Sequence, residues 1–132
     1  MSKLSMTAGG RELLMRFDTE AWLDVEDEFG TIGKMYEEID GENRPMRAMM
    51  RAAVIMANAG ERHAGRAPDI TMEWMIANLT PKQQRKANTL AKIAVAEGMK
   101  RETVESDDEG DIDLVAKELQ KKNPVSLQQD NA

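Results

Sequence analysis

The sequence predicts an all-α fold, a small domain of about five helices followed by a charged C-terminal tail. Three observations support this prediction. Apolar residues recur at helical spacing along most of the first hundred positions, whereas strand-like alternation is scarce. The apolar residues are mainly Met, Leu, Ile, Val and Ala, with eleven methionines and few aromatic residues, and most of these types favour helix. Residues that commonly cap helices precede several of the apolar runs.

A chain of 132 residues is long enough for one domain with a single core. We expect residues 1–11 to be flexible because they are mostly small or polar. Residues 12–99 should form the helical domain, and residues 100–132 an acidic linker and tail. The apolar stretch at residues 12–17, ELLMRF, is either a short strand or an extended lead-in to the first helix.

The stretch FDTEAWLDVEDEFG, residues 17–30, contains six carboxylates and predicts an acidic amphipathic helix. Asp18 is a good N-cap residue, and Gly30 stands where a glycine commonly ends a helix. Trp22, Val25 and Phe29 share one face, which we expect to pack inward. The carboxylates then form mainly the solvated face, since a metal or acid–base site would need partners that are not nearby.

Two helices are expected around the turn DGENRP: one over about residues 32–40 capped by Thr31, and one over residues 45–59 with Pro45 at its first position. The second of these has a narrow polar face. A helix that is apolar on most sides is either the centre of the core or covered by a partner as well. Because Met side chains adapt to different ligands, four of them are candidates for partner binding or self-association: Met46, Met49, Met50 and Met56.

Residues 60–69, GERHAGRAPD, are predicted to be a loop. Its histidine, the only one in the chain, has no orienting partner in the sequence and is not expected to act in catalysis. Thr71 should cap a short helix that carries Trp74, a further candidate binding residue. Thr80 followed by Pro81 predicts the start of another helix, over about residues 81–97, which Gly98 should end.

Three cations occupy the first turns of that last helix: Lys82, Arg85 and Lys86. Cations there oppose the helix dipole, so these residues form either a solvated basic face or a docking site for something acidic. The acidic run from Glu105 to Asp113 could cover them reversibly, or the tail could serve only solubility. One short helix is expected in the tail, around Ile112 to Leu119.

Several function classes lack their usual signatures. There is no cysteine, no phosphate-cradling glycine loop, no nucleophile elbow and no His-rich zinc spacing, so we expect no catalytic residue, cofactor or metal site, and no enzyme. The net charge of −6 argues against general nucleic-acid binding. No apolar run approaches the length of a membrane span or a signal peptide, which favours a cytoplasmic binding or assembly protein.

Four pieces within residues 12–97 follow one another in a recognisable order: LLMRFDTEAWLDVEDEFG, IGKMYEEI, MRAMMRAAVIMANAG and DITMEWMIANLTPKQQRK. This order resembles the tail assembly chaperones of long-tailed, siphovirus-like bacteriophages and prophages. The loop GERHAGRAPD is longer than the family's usual connection, and the tail carries no part of the resemblance.

The resemblance implies a role in virion morphogenesis. Such proteins bind the long, apolar tape measure protein in the host cytoplasm, keep it soluble and recruit tail-tube (major tail) subunits. They leave before the tail is complete and are therefore absent from the mature virion. They also self-associate, which implies a homo-oligomer here, and in several phages a ribosomal frameshift adds a second domain.

Two other functions remain open. The stretch TPKQQRKANTLAKIA loosely resembles a helix-turn-helix, which would indicate a small DNA-binding regulator despite the acidic net charge. A minor phage structural protein, such as a connector subunit, is the other alternative.

Overall fold

The structure is a computed structural model that describes the backbone of residues 4–108 and the side chains of residues 4–100. This part of the chain holds five helices and one two-stranded sheet. The prediction of an all-α fold is therefore confirmed in its helical character, whereas the sheet departs from it. The chain divides into two units, Met1–Glu97 and Gly98–Ala132. The short helix expected in the tail lies outside the described residues.

An antiparallel hairpin opens the fold. Strand β1 (Ser5–Ala8) pairs with β2 (Arg11–Leu14). The connecting Gly9 and Gly10 have φ angles of 59° and 74°, which suits a tight two-residue hairpin turn. Residues 5–8, which we expected to be flexible, therefore form an ordered strand, because alternate apolar residues of β1 are buried and the two glycines permit the turn. For the stretch at residues 12–17, the strand alternative is correct for residues 12–14, which belong to β2.

Helices α1 (Thr19–Phe29), α2 (Ile32–Asp40) and α3 (Pro45–His63) follow. The predicted caps are present. The Asp18 carboxylate accepts a hydrogen bond from the Ala21 amide at 2.9 Å, and the Thr31 hydroxyl accepts one from the Lys34 amide at 2.9 Å. Helix α3 is central, since it packs against β2, α1, α2 and the next helix, α4 (Met72–Asn78).

Helix α3 is longer than predicted and includes the first residues of the expected loop at 60–69. Gly60, the first residue of the predicted loop, lies inside the helix where β2 crosses. A Cβ atom at Gly60 would stand 1.6 Å from the backbone oxygen of Leu14. Just beyond, the Arg16 amide donates a hydrogen bond to the Met56 carbonyl at 3.1 Å. Gly60 thus serves close packing of two backbones.

Helix α5 (Pro81–Asp108) starts as predicted and ends later. The Thr80 hydroxyl accepts from the Gln83 amide at 3.2 Å, while the Gln83 side chain accepts from the Thr80 amide at 2.9 Å, which is a capping box. Gly98 does not end the helix, which continues to Asp108. A single glycine costs a helix only about 1 kcal/mol, and strong helix formers flank this one.

The core is built from small residues and methionine. Its largest fully buried apolar side chains are Leu13, Met15, Met35, Met56, Met75 and Val25. The predicted inward face of α1 is confirmed for Val25 and Phe29. Trp22 is only half-buried, and its ring centroid lies 5.7 Å from that of Phe17.

Candidate functional site

An apolar groove lies between the first turns of α3 and helix α4. Met46 and Met50 line it from α3, and Ile76, together with Met72, lines it from α4. The groove has a volume of about 540 Å³. Each helix thus contributes two side chains spaced four residues apart, which lie on one helix face. We call this surface the methionine groove.

The side chains of the methionine groove differ in exposure. Met50 is buried, Met46 and Met72 are half-buried, and Ile76 is 65 % exposed. Ile76 is the most exposed of the large apolar residues in the described part of the chain. An exposed aliphatic residue beside adaptable thioether side chains suits an apolar ligand that the groove can repack around.

Two arginines border the methionine groove, Arg44 and Arg47. Arg44 has φ 60° and ψ 47°, and among the described residues it is the one non-glycine residue with a positive φ. It precedes Pro45 and caps α3 without a side-chain hydrogen bond. A left-handed residue with a Cβ atom is strained by about 1–3 kcal/mol, and such strain is concentrated at functional sites.

A second hollow of about 400 Å³ shares these arginines and is lined by carboxylates, Glu37, Glu38 and Glu42 among them. Arg51 also borders it but is fully engaged in structural contacts. Its guanidinium pairs with Glu28 at 2.7 Å and Glu38 at 3.1 Å, donates to the Glu28 carbonyl at 2.8 Å, and lies 4.3 Å from the Phe29 ring centroid.

Arg44 and Arg47 differ from Arg51, because both are exposed and neither forms an ion pair with another described residue. Two unpaired cations therefore stand beside the methionine groove, at the N-terminus of α3, where the helix dipole adds positive potential.

The structure separates the candidate residues chosen from the sequence. Met46 and Met50 line the groove, whereas Met49 is half-buried outside its lining. Met56 is fully buried in the core and offers no surface to a partner. Trp74 is half-buried, and the Arg11 guanidinium lies 5.4 Å from its ring centroid.

The three cations at the start of α5, Lys82, Arg85 and Lys86, are exposed and do not line the groove. The acidic run that we expected to cover them, Glu105 to Asp113, lies beyond the described side chains.

Sequence reasoning missed Met72, Ile76, Arg44 and Arg47. By helical spacing the first two share one apolar stripe with Met75 and Leu79, but only the latter pair is buried. The sequence carried no signal for the conformation of Arg44, because a residue before a proline usually adopts extended backbone, whereas Arg44 is left-handed.

The acidic face of α1 is largely solvated and also forms ion pairs. Glu28 pairs with Arg51, and Asp18 and Glu20 pair with Arg62 at 3.1 and 3.2 Å. Burial raises the pKa of Asp24 above its ordinary value. Among the described residues, no group of three acidic, His or Cys side chains is arranged to hold a metal ion.

A buried carboxylate, Glu61, was hidden in the stretch interpreted as a loop. Its side chain is 1 % exposed and accepts hydrogen bonds from Arg11 of β2 and from Arg66, the latter at 2.8 Å. Arg11 also pairs with Asp69 at 2.7 Å. Burial alone would raise the pKa of Glu61, but the hydrogen bonds from the two arginines outweigh it and hold this pKa below its ordinary value. The ion pairs of Glu61, Arg11, Arg66 and Asp69 thus join the hairpin to the end of α3.

The fold and the groove thus describe a small helical protein with an accessible apolar surface bordered by unpaired arginines. Within residues 4–108, no helix combines the length and apolar character needed to cross a membrane. No family model, characterised protein or solved structure matches this chain.

Proposed function

We propose that this protein is a bacteriophage tail assembly chaperone. It binds the tape measure protein in the host cytoplasm, keeps that apolar chain soluble, recruits tail-tube subunits and leaves before the virion is complete. The observation that carries the proposal is the methionine groove, which presents Ile76 and two half-buried methionines to solvent. The sequence resemblance over residues 12–97 adds the biological setting.

The physical properties of the chain support this role. A protein that holds unfolded or partly helical segments needs an apolar surface that adapts to different side chains, and unbranched Met provides one. An acidic exterior, with a net charge of −6, keeps a loaded complex soluble and away from nucleic acid. The exposed apolar surface also favours self-association into a homo-oligomer.

Co-expression tests the proposal. A candidate tape measure protein from the same genome is produced with and without this chain, and the soluble fraction is measured. We expect the full chain to raise that fraction. The variant Ile76→Ser should lose most of the effect, whereas Leu23→Ser, which removes an aliphatic side chain that is 55 % exposed on α1, should keep it. A tape measure protein that stays insoluble with the parental chain would overturn the proposal.

A second candidate function is DNA binding, favoured by one observation. Lys82, Arg85 and Lys86 are all exposed on the first turns of α5, directly after the short helix α4 and a two-residue connection. An electrophoretic shift with host or phage DNA at moderate salt distinguishes this function. Binding that is lost when the three cations are replaced by Gln would favour the regulator over the chaperone.

A further inference from the structure

We infer that the methionine groove takes an amphipathic helix whose acidic side chains flank its apolar face. This inference rests on the proposed function and deepens it, since it names the chemistry of the segment that is bound. Shape, charge and backbone conformation at the groove each support it.

The shape of the groove fits a short helical contact. Met46 with Met50, and Met72 with Ile76, form two rows that each extend over about 6 Å, a little more than one helical turn. Two rows of that length can enclose apolar side chains spaced three or four residues apart on a docked helix. The methionines adjust to Leu, Ile, Val or Phe at those positions, so the groove selects an amphipathic pattern rather than one sequence.

The charges around the groove are asymmetric. Arg44 and Arg47 lie on the α3 side and form no ion pair with other described residues, whereas the α4 side of the lining, Met72 and Ile76, carries no charge. A docked helix gains when its carboxylates face α3, where guanidinium groups bind them in a defined geometry. Carboxylates on the opposite side would find no cation among the residues that line the groove. The asymmetry therefore also sets the orientation of the bound helix.

The backbone of Arg44 indicates that its side chain is needed there. Glycine adopts φ 60° without strain and is the usual residue at such a position. An arginine in the left-handed region, exposed and unpaired beside a groove, is explained by a ligand that uses its charge. The same fact supplies a clean variant, because Arg44→Gly removes the charge and relieves the backbone strain.

Fluorescence anisotropy with the full chain tests the inference. The probe is a labelled helical peptide of about 15 residues with two Leu four positions apart and Glu beside them; the matched peptide carries Gln in place of Glu. At low salt we expect the Glu peptide to bind about tenfold more tightly than the Gln peptide. At high salt the difference should largely disappear because the exposed charges are screened.

Variants assign the contact to the groove. Ile76→Ser should weaken both peptides, whereas Arg44→Gly and Arg47→Gln should each weaken only the Glu peptide, by about threefold, as expected for an exposed ion pair. Leu23→Ser and Lys82→Gln are the matched controls and should bind both peptides as the parent does. Circular dichroism checks that every variant is folded.

Several outcomes would overturn the inference. Equal affinity of the two peptides at low salt would remove the acidic preference, and unchanged binding by Ile76→Ser would remove the groove. If Lys82→Gln weakens binding of the Glu peptide as much as Arg47→Gln does, the contact with the peptide's carboxylates lies on α5. Dissociation of an oligomer by Ile76→Ser, with neither peptide bound by the parent, would identify a second copy of the chain as the occupant.

The co-expression assay separates this inference from the proposed function. If the parent binds the Glu peptide but does not solubilise the tape measure protein, the chaperone role fails and the acidic-helix site stands. If Arg44→Gly combined with Arg47→Gln solubilises the tape measure protein as well as the parent does, the chaperone role stands and the acidic preference fails.

Discussion

Replacing the buried carboxylate of Glu61 should destabilise the fold substantially. This side chain is 1 % exposed and accepts hydrogen bonds from Arg11 and Arg66, which are 30 % and 47 % exposed. Removing one partner of a buried ion pair costs about 3–5 kcal/mol. Here the released guanidinium groups can regain water, so we expect the lower end of that range, about 3 kcal/mol for Glu61→Ala. Glu61→Gln keeps the shape but loses charge-assisted hydrogen bonds, and should cost about 2 kcal/mol.

The difference in unfolding free energy between the parent and Glu61→Gln should depend on pH in a defined way. The pKa of Glu61 is held below its ordinary value of 4.5 in the folded state, so the ionised carboxylate stabilises the fold fully above pH 4.5. As pH falls through the lower, folded-state pKa, that stabilisation is lost. The difference in unfolding free energy between parent and variant should therefore stay constant from neutral pH to about pH 5 and shrink below pH 4.5.

Urea denaturation followed by circular dichroism measures this difference at neutral pH and at steps below pH 4.5. Asp69, whose pKa is lowered by its hydrogen bond from Arg11, and Asp24, whose pKa is raised by burial, also change the pH dependence of the parent. Asp69 and Asp24 are present in both proteins, so their contributions largely cancel in the difference between the parent and Glu61→Gln. Glu26→Gln, on the exposed face of α1, is the control. Equal stability of parent and Glu61→Gln at neutral pH, or a difference that grows on acidification, would refute the reasoning.

Four other predictions follow from the fold and the proposed function. Phe29→Ala should lower the free energy of unfolding by about 3–5 kcal/mol in a thermal or urea melt, since the ring is 6 % exposed, and an unchanged melt would mean that α1 is turned the other way. Gly60→Ala should lower the free energy of unfolding by at least about 1–3 kcal/mol, because the added Cβ would collide with the backbone oxygen of Leu14. Gly33→Ala should not, since its added Cβ would have no neighbouring atom nearer than 3.8 Å. Analytical ultracentrifugation should detect oligomers that Ile76→Ser weakens; a parent that is only monomeric at high micromolar concentration contradicts this. Mass spectrometry of purified virions should not detect the protein, and stoichiometric amounts would indicate a structural component instead.

Local signals in the sequence were sufficient for most helix starts. Asp18 and Thr31 each cap a helix through a hydrogen bond to a backbone amide three residues ahead, so the interaction is encoded within four consecutive positions. Pro45 and Pro81 mark the first residues of α3 and α5 in the same local manner. Helix ends were less predictable, because glycine is also tolerated inside a helix when packing or flanking residues favour it.

Tertiary contacts decided what the local pattern left open. Gly98 was predicted to end a helix, and Gly60 to begin a loop. At Gly60, however, the approach of β2 requires a residue without a side chain, and the helix continues past Glu61, whose charge is satisfied by Arg66 and by Arg11, which is distant in sequence. Met75 and Ile76 looked equivalent within one apolar run, but one is fully buried and the other is 65 % exposed. Spacing along a helix predicts which residues share a face, whereas burial depends on the neighbouring helices that cover that face. The methionine groove exists for that reason, since α3 and α4 cover each other only in part.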